Sequence, residues 1–220
     1  MNKDFYFAEL YPMQDQALRL ITEAQTGFYL TGGTALSRGY LGHRFSDDLD
    51  LFTNMDHRFA NWCHQMIAAL SASRDWQTNV LRQGEYFLRL MIIEEDVALK
   101  VECVNDVPSH IGEIQEHPVL GRLDSPENIL ANKISALIGR DESKDLVDVW
   151  GLCCRTGLSI KNAITDASSK SAGIYPPDLA RRLCSITHQD WEAVRWINAP
   201  SAEQFIAEMK ELGQSLILVE

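Results

Sequence analysis

The sequence has little of what would place it in a membrane, on a polyanion or in an oxidised compartment. No run approaches the ~18 consecutive apolar residues of a membrane-spanning helix. The opening MNKDFYFAELYPMQDQALRL lacks the basic region and apolar stretch of a secretory leader, so a cytoplasmic protein is expected. Positive charge is scarce: 20 Lys and Arg stand against 31 Asp and Glu, a formal net charge of −11. That balance argues against indiscriminate coating of nucleic acid or anionic lipid. The deficit is uneven, because residues 1–125 hold 10 basic and 18 acidic side chains and residues 126–220 hold 10 and 13. A polyanion-facing surface is therefore expected in the second half, where Arg181, Arg182, Arg195, Lys161 and Lys170 have little acid beside them in sequence. The five cysteines, Cys63, Cys103, Cys153, Cys154 and Cys184, are odd in number and form no C-x-x-C pair, which predicts reduced thiols. Repeats and low-complexity tracts are also absent, which leaves periodicity as the guide to organisation.

With 45% hydrophobic residues among 220, the chain can bury one ordinary core, and its pattern divides it into a mixed part, 1–125, and a helical part, 126–220. Residues 28–31 (FYLT) form a short apolar run ended by Gly32 and Gly33. Ala35, Leu36 and Tyr40 follow at helical spacing, giving strand, tight turn and short helix. Residues 48–53 alternate strictly, with Asp48, Asp50 and Phe52 on one face of a strand and Leu49 and Leu51 on the other. Phe59, Trp62, Met66, Ile67 and Leu70 mark an amphipathic helix over 58–70. The runs 85–93 and 97–104 predict a hairpin, although Glu94, Glu95 and Asp96 are not favoured turn residues. Residues 105–125 read as irregular. Ser125 suits an N-cap and Pro126 a first helical position, and Ile129, Leu130, Ile134, Leu137 and Ile138 share one side of the helix that follows. Further helices are predicted over 143–154, 177–186, 190–197 and 201–213. Trp150, Trp191 and Trp196 are expected to pack helices rather than stack bases.

Chemistry concentrates in residues 29–52. Asp48 and Asp50 emerge on one face of a strand about 6.6 Å apart along the backbone, close enough to converge on a hard cation such as magnesium. Gly32 and Gly33, lacking Cβ atoms, let backbone N–H groups approach a phosphate. Glu102 follows Lys100 by two, so both project from one strand face, and a carboxylate there would complete an acidic trio; a plain Lys–Glu surface pair is the alternative. Lys133 and Arg140, seven apart, would lie within about 20° of each other on one helix as a basic stripe able to hold a triphosphate. Asp145 could orient Lys133 or act as a base. Lys144 and Asp148 are spaced for an exposed i to i+4 ion pair. His43 and Arg44 sit in the loop before the acidic strand, where they could order phosphate or be structural. Cys63 and His64 lack metal spacing.

The ordered set of GGTAL (32–36), GHRFSDDLDLF (42–52), KVE (100–102), ANKISAL (131–137) and RDESKDLVDVWGL (140–152) resembles the AbiEii/AbiGii-type nucleotidyltransferases. These form a branch of the DNA polymerase beta nucleotidyltransferase superfamily tied to abortive phage infection and toxin–antitoxin pairs. The resemblance implies an α+β nucleotidyltransferase fold, with a small mixed sheet flanked by helices and a helical C-terminal half completing the active site. It implies transfer of a nucleoside monophosphate from an NTP to an acceptor hydroxyl. Asp48, Asp50 and Glu102 would bind two Mg2+ ions, or Mn2+ in their place, and together with Lys133 and Asp145 would form the catalytic set. Gly32, Gly33, Thr34, Ser37, Arg44, Lys133 and Arg140 would contact the nucleotide. The implied partners are the NTP, a tRNA 3′ end as acceptor and a cognate antitoxin. A protein hydroxyl or a small molecule such as an antibiotic remains an alternative acceptor, and a catalytically idle nucleotide-binding partner in a defence complex an alternative role.

Overall fold

A computed structural model describes residues 3–217, which divide into two compact units. The first comprises the residues up to Tyr40 together with Phe45–Asp124; the second comprises Leu41–Arg44 and the residues from Ser125 onward.

The first unit is built on a seven-stranded mixed sheet, made of β1 (Tyr29–Thr31), β2 (Leu49–Asn54), β3 (Gln77–Gln83), β4 (Phe87–Glu94), β5 (Val97–Asp106), β6 (Gln115–His117) and β7 (Gly121–Leu123), in the order β3-β4-β5-β2-β1-β7-β6. β2 runs parallel to β5 and antiparallel to β1. The alternation read from 48–53 is realised as burial: Leu49 and Leu51 of β2, Leu99, Val101 and Cys103 of β5 and Leu88, Leu90 and Ile92 of β4 form one dry face, all 2% exposed or less. Phe59, Trp62, Met66 and Leu70 of the helix Phe59–Ser71 are buried as its stripe predicts. The Cys103 thiol meets Met66 Sδ at 3.6 Å in this core. β4 and β5 form the predicted hairpin, closed by Glu95 and Asp96 with Glu95 held at φ +50°. Three features depart from the sequence reading, the first being β3, which it left unassigned. The N-terminal segment is helical, with a π-helical turn Tyr6–Leu10 leading into Tyr11–Glu23. The stretch read as irregular contains the paired three-residue strands β6 and β7.

The second unit is helical: α1 (Pro126–Gly139), α2 (Ser143–Trp150), α3 (Ile160–Lys170), α4 (Pro176–Cys184), α5 (His188–Glu192) and α6 (Ala202–Gln214). α1 starts as its sequence dictates, with Ser125 Oγ accepting the Asn128 N–H at 3.0 Å and Pro126 in the first turn. Its apolar side is buried except for Ile138, which is 37% exposed. Trp150, Trp196 and Phe205 make edge-to-face contacts 5.6–5.9 Å apart, and Trp191 lies beside Trp196, so these tryptophans pack helices. α3 was not anticipated. All five cysteines are free.

Candidate active site

The face of the sheet opposite the dry core carries the charges. Asp50 and Glu102 are direct register partners on parallel β2 and β5, so their side chains leave neighbouring strands on the same side. Asp48 lies just ahead of β2, two residues from Asp50. Lys100 Nζ sits 2.9 Å from Asp48 Oδ2 and 3.7 Å from Glu102 Oε2. Arg89, the β4 neighbour of Glu102, donates to Glu102 Oε1 from its Nε. Burial pulls the Lys100 ammonium toward lower pKa, but the hydrogen bond to Asp48 and the charges of Asp48, Glu102 and Asp50 outweigh it and the net shift is upward. The pair read as a plain Lys–Glu alternative therefore belongs to a four-member cluster in which Lys100 answers two carboxylates.

The glycine turn abuts this cluster. Gly32 takes φ +67°, and a Cβ built on it would fall 2.3 Å from Asp50 Oδ2, so only glycine lets the turn press against that carboxylate. Gly33, Thr34 and Ser37 are buried. The Thr34 hydroxyl lies 2.5 Å from the Asp48 carbonyl and 3.0 Å from Ser46 Oγ; it donates to the first and accepts from the second, which commits it to the entrance of β2.

These groups fit a hard divalent cation. The fit rests on Lys100, whose ammonium already stands where positive charge is wanted, between Asp48 and Glu102. Among the described residues no three His, Cys, Asp or Glu side chains are gathered tightly enough to cage an ion alone. Magnesium does not ask for a cage, since it takes one or two carboxylates and completes its shell from substrate phosphate and water. Asp48 and Asp50 could hold it, with Glu102 beside them.

In the second unit, the loop residues His43 and Arg44 and the start of α2 form a buried ionic network. Asp148 is 0% exposed and accepts from Arg44 Nε and Nη2, both at 2.7 Å, while Lys133 Nζ lies 2.6 Å from its Oδ2 and His43 Nε2 2.9 Å from its Oδ1. Asp145, also fully buried, takes Lys133 Nζ at 2.7 Å and Arg140 Nε at 2.7 Å. Burial would raise both carboxyls, but Arg44 and Lys133 drive Asp148 well below its usual range, and Lys133 and Arg140 bring Asp145 below it too. Burial would likewise lower Lys133, and Asp148 and Asp145 overcome it to raise the ammonium. His43 goes the other way: burial depresses it despite Asp148. A neutral imidazole donating from Nε2 accounts for its buried Nδ1, which has no partner among the described residues.

This arrangement corrects two expectations, those for Arg140 and Lys144. Arg140 is not on a helical stripe with Lys133; it is the C-cap of α1, in extended backbone at φ −151°, and meets Lys133 only through their shared carboxylate Asp145. Lys144 pairs with Glu142 at 2.8 Å, not with Asp148, which faces inward. Arg44 is buried on Asp148 by both ends of its guanidinium. Acid also accompanies the expected basic surface: Arg181 pairs with Asp178 at 3.1 Å, and Arg182 with Asp141 and Asp190. Lys100 and Arg89 were missed as members of the site, although their period-two spacing from Glu102 and cross-strand register carried the signal.

The family described as nucleotidyl transferase AbiEii toxin, type IV toxin–antitoxin system, matches residues 19–207. Similar solved structures include JHP933 from Helicobacter pylori, with TM-score 0.64 and 20% identity, covering 94% of this chain and 92% of that one. Another is MenT4, the nucleotidyltransferase toxin Rv2826c of Mycobacterium tuberculosis, with TM-score 0.62 and 16% identity, covering 100% of this chain and 87% of that one. At such identities the likeness is one of fold. No curated protein matches the chain. No helix among the described residues is long and apolar enough to cross a membrane.

Proposed function

Because the chain belongs to the AbiEii family of nucleotidyltransferase toxins of type IV toxin–antitoxin systems, we propose that it transfers a nucleoside monophosphate from an NTP to the 3′ hydroxyl of tRNA. The observation that carries this reading is the register pairing of Asp50 with Glu102, with Asp48 two residues upstream and the Gly32 turn pressed against Asp50. Asp48 and Asp50 would hold Mg2+, with Mn2+ as a substitute, and two ions at such a site supply charge neutralisation on the triphosphate and a more acidic acceptor hydroxyl. Gly32 and Gly33 leave backbone N–H groups open to phosphate. Glu102, held by Arg89, would either complete the ion's shell or accept a proton from the incoming hydroxyl. Lys133, which Asp145 and Asp148 engage, would contact the triphosphate by the family resemblance alone. A cognate antitoxin is the partner that the family implies.

A protein or small-molecule acceptor is the second reading, favoured by the net charge of −11 and by the acidic partners of Arg181 and Arg182. Incubation with α-phosphate-labelled NTP, magnesium and either total tRNA or total protein separates the two. Label is expected in tRNA and is expected to vanish in the double variant Asp48→Asn, Asp50→Asn with far-UV dichroism unchanged. Label in the protein fraction would move the assignment to the second reading. No label in tRNA, in protein or in an added small-molecule extract, with nucleotide still bound, would leave an idle nucleotide-binding partner.

A further inference from the structure

The first acidic residue of the site is held in place from outside the motifs that announce it. Asp48 lies just ahead of β2, so the segment Ser46–Asp48 stands outside the strand pairing and takes its anchors from side chains. The first is Gln14, a fully buried glutamine on the N-terminal helix Tyr11–Glu23. Its Nε2 donates to the Ser46 carbonyl at 3.2 Å and to the Asp47 carbonyl at 2.9 Å, and its Oε1 accepts from Arg38 Nη1 at 3.0 Å. The amide orientation is forced, since turning it over would set its oxygen against two carbonyls and its NH2 against a guanidinium. About two turns earlier in the same helical stretch, Tyr6 donates its hydroxyl to Asp47 Oδ1 at 2.7 Å while its ring stacks on Phe45 at 4.2 Å. Thr34 holds the other side of the segment through the Asp48 carbonyl. Burying an unpaired amide is costly, so a glutamine at a core position of an amphipathic helix is retained where every one of its groups finds a partner. Here those partners are the two carbonyls directly ahead of Asp48.

We propose that Gln14, assisted by Tyr6, is a positioning residue for cation binding, setting the backbone from which the Asp48 carboxylate is aimed. The inference rests on the reading of Asp48 and Asp50 as the metal-holding pair. Gln14→Leu keeps the volume and removes both donors; Tyr6→Phe removes only the hydroxyl bond to Asp47 and keeps the stacked ring. The readout is Mn2+ affinity, measured by electron paramagnetic resonance on the purified chain with and without a non-hydrolysable NTP analogue, with thermal melting alongside. Outer residues that orient metal-holding groups usually govern affinity by about 10- to 100-fold. Gln14→Leu is expected to bind Mn2+ roughly 10-fold more weakly, and Tyr6→Phe less than that, while both melt cooperatively. A cooperatively melting Gln14→Leu with wild-type affinity would overturn the proposal and reduce Gln14 to a helix anchor. Should Gln14→Leu not fold, Tyr6→Phe decides: weaker binding supports positioning and unchanged binding overturns it. Wild-type chain that takes up no Mn2+ would overturn the metal reading itself, and this inference with it.

Discussion

Asp148 is the residue on which the second unit's electrostatics turn, because three side chains point at one carboxylate that is 0% exposed. Its removal takes the buried carboxylate from Arg44 and leaves Lys133 with Asp145 alone, so Asp148→Asn is expected to cost about 3–5 kcal/mol of unfolding free energy in urea titrations. The pH dependence follows from the directions of the shifts. His43 is depressed below its ordinary 6.5, so its contribution is complete above that pH and declines as pH falls toward the lowered value. Asp145 and Asp148 are depressed below 3.8, so theirs is complete above 3.8 and declines beneath it. Urea midpoints against pH should therefore fall in two steps, and His43→Asn should remove the upper one only. At the acidic cluster, Gly32→Ala combines a left-handed backbone, worth about 1–2 kcal/mol, with a methyl driven into the Asp50 carboxylate. Label transfer is expected to fall by about 100-fold, since displacements of an ångström at reacting groups have that effect.

At the level of elements, legibility followed burial contrast. β2, β5 and the helix Phe59–Ser71 could be read because one side of each is dry and the other is not. β3 offered no such contrast: QTNVLRQ lies at the sheet edge and is mostly exposed on both faces, so no alternation exists to be seen. α3 buries Ile160, Ala163 and Ala167, and two alanines make a faint stripe. The N-terminal helix was obscured by the residue that gives it meaning, because Gln14 puts a polar side chain at a core position and breaks the apolar period. The β4–β5 turn was assigned despite poor turn chemistry, and the structure shows the cost being borne by Glu95 at φ +50°. Glu95→Gly is expected to raise stability by up to about 1 kcal/mol, measured as a shift in melting temperature, with no change in label transfer.

Across the whole chain, the acidic trio could be read from period-two spacing, but the partners of the cations could not. Lys133, Arg140 and Arg44 find their carboxylates across loops, and sequence spacing is silent on that. The same holds for Arg182, whose acids Asp141 and Asp190 lie far from it in sequence. Arg182→Glu would crowd a third carboxylate against those two, so Arg181, which is 81% exposed, is the arginine to reverse. With tRNA as acceptor, Arg181→Glu is expected to leave NTP affinity unchanged and to alter the salt slope of tRNA labelling by about one unit. Lys100 bears on the life of the protein before it meets any substrate. A chain leaving the ribosome with bare clustered carboxylates would depend on the cell's free magnesium to finish folding; this one brings its own counter-ion, covalently attached and two residues from Glu102. With the ion read as arriving at Asp48 and Asp50 only with the nucleotide, folding need not wait for it: a chelator is expected to leave the melting temperature unchanged while silencing label transfer.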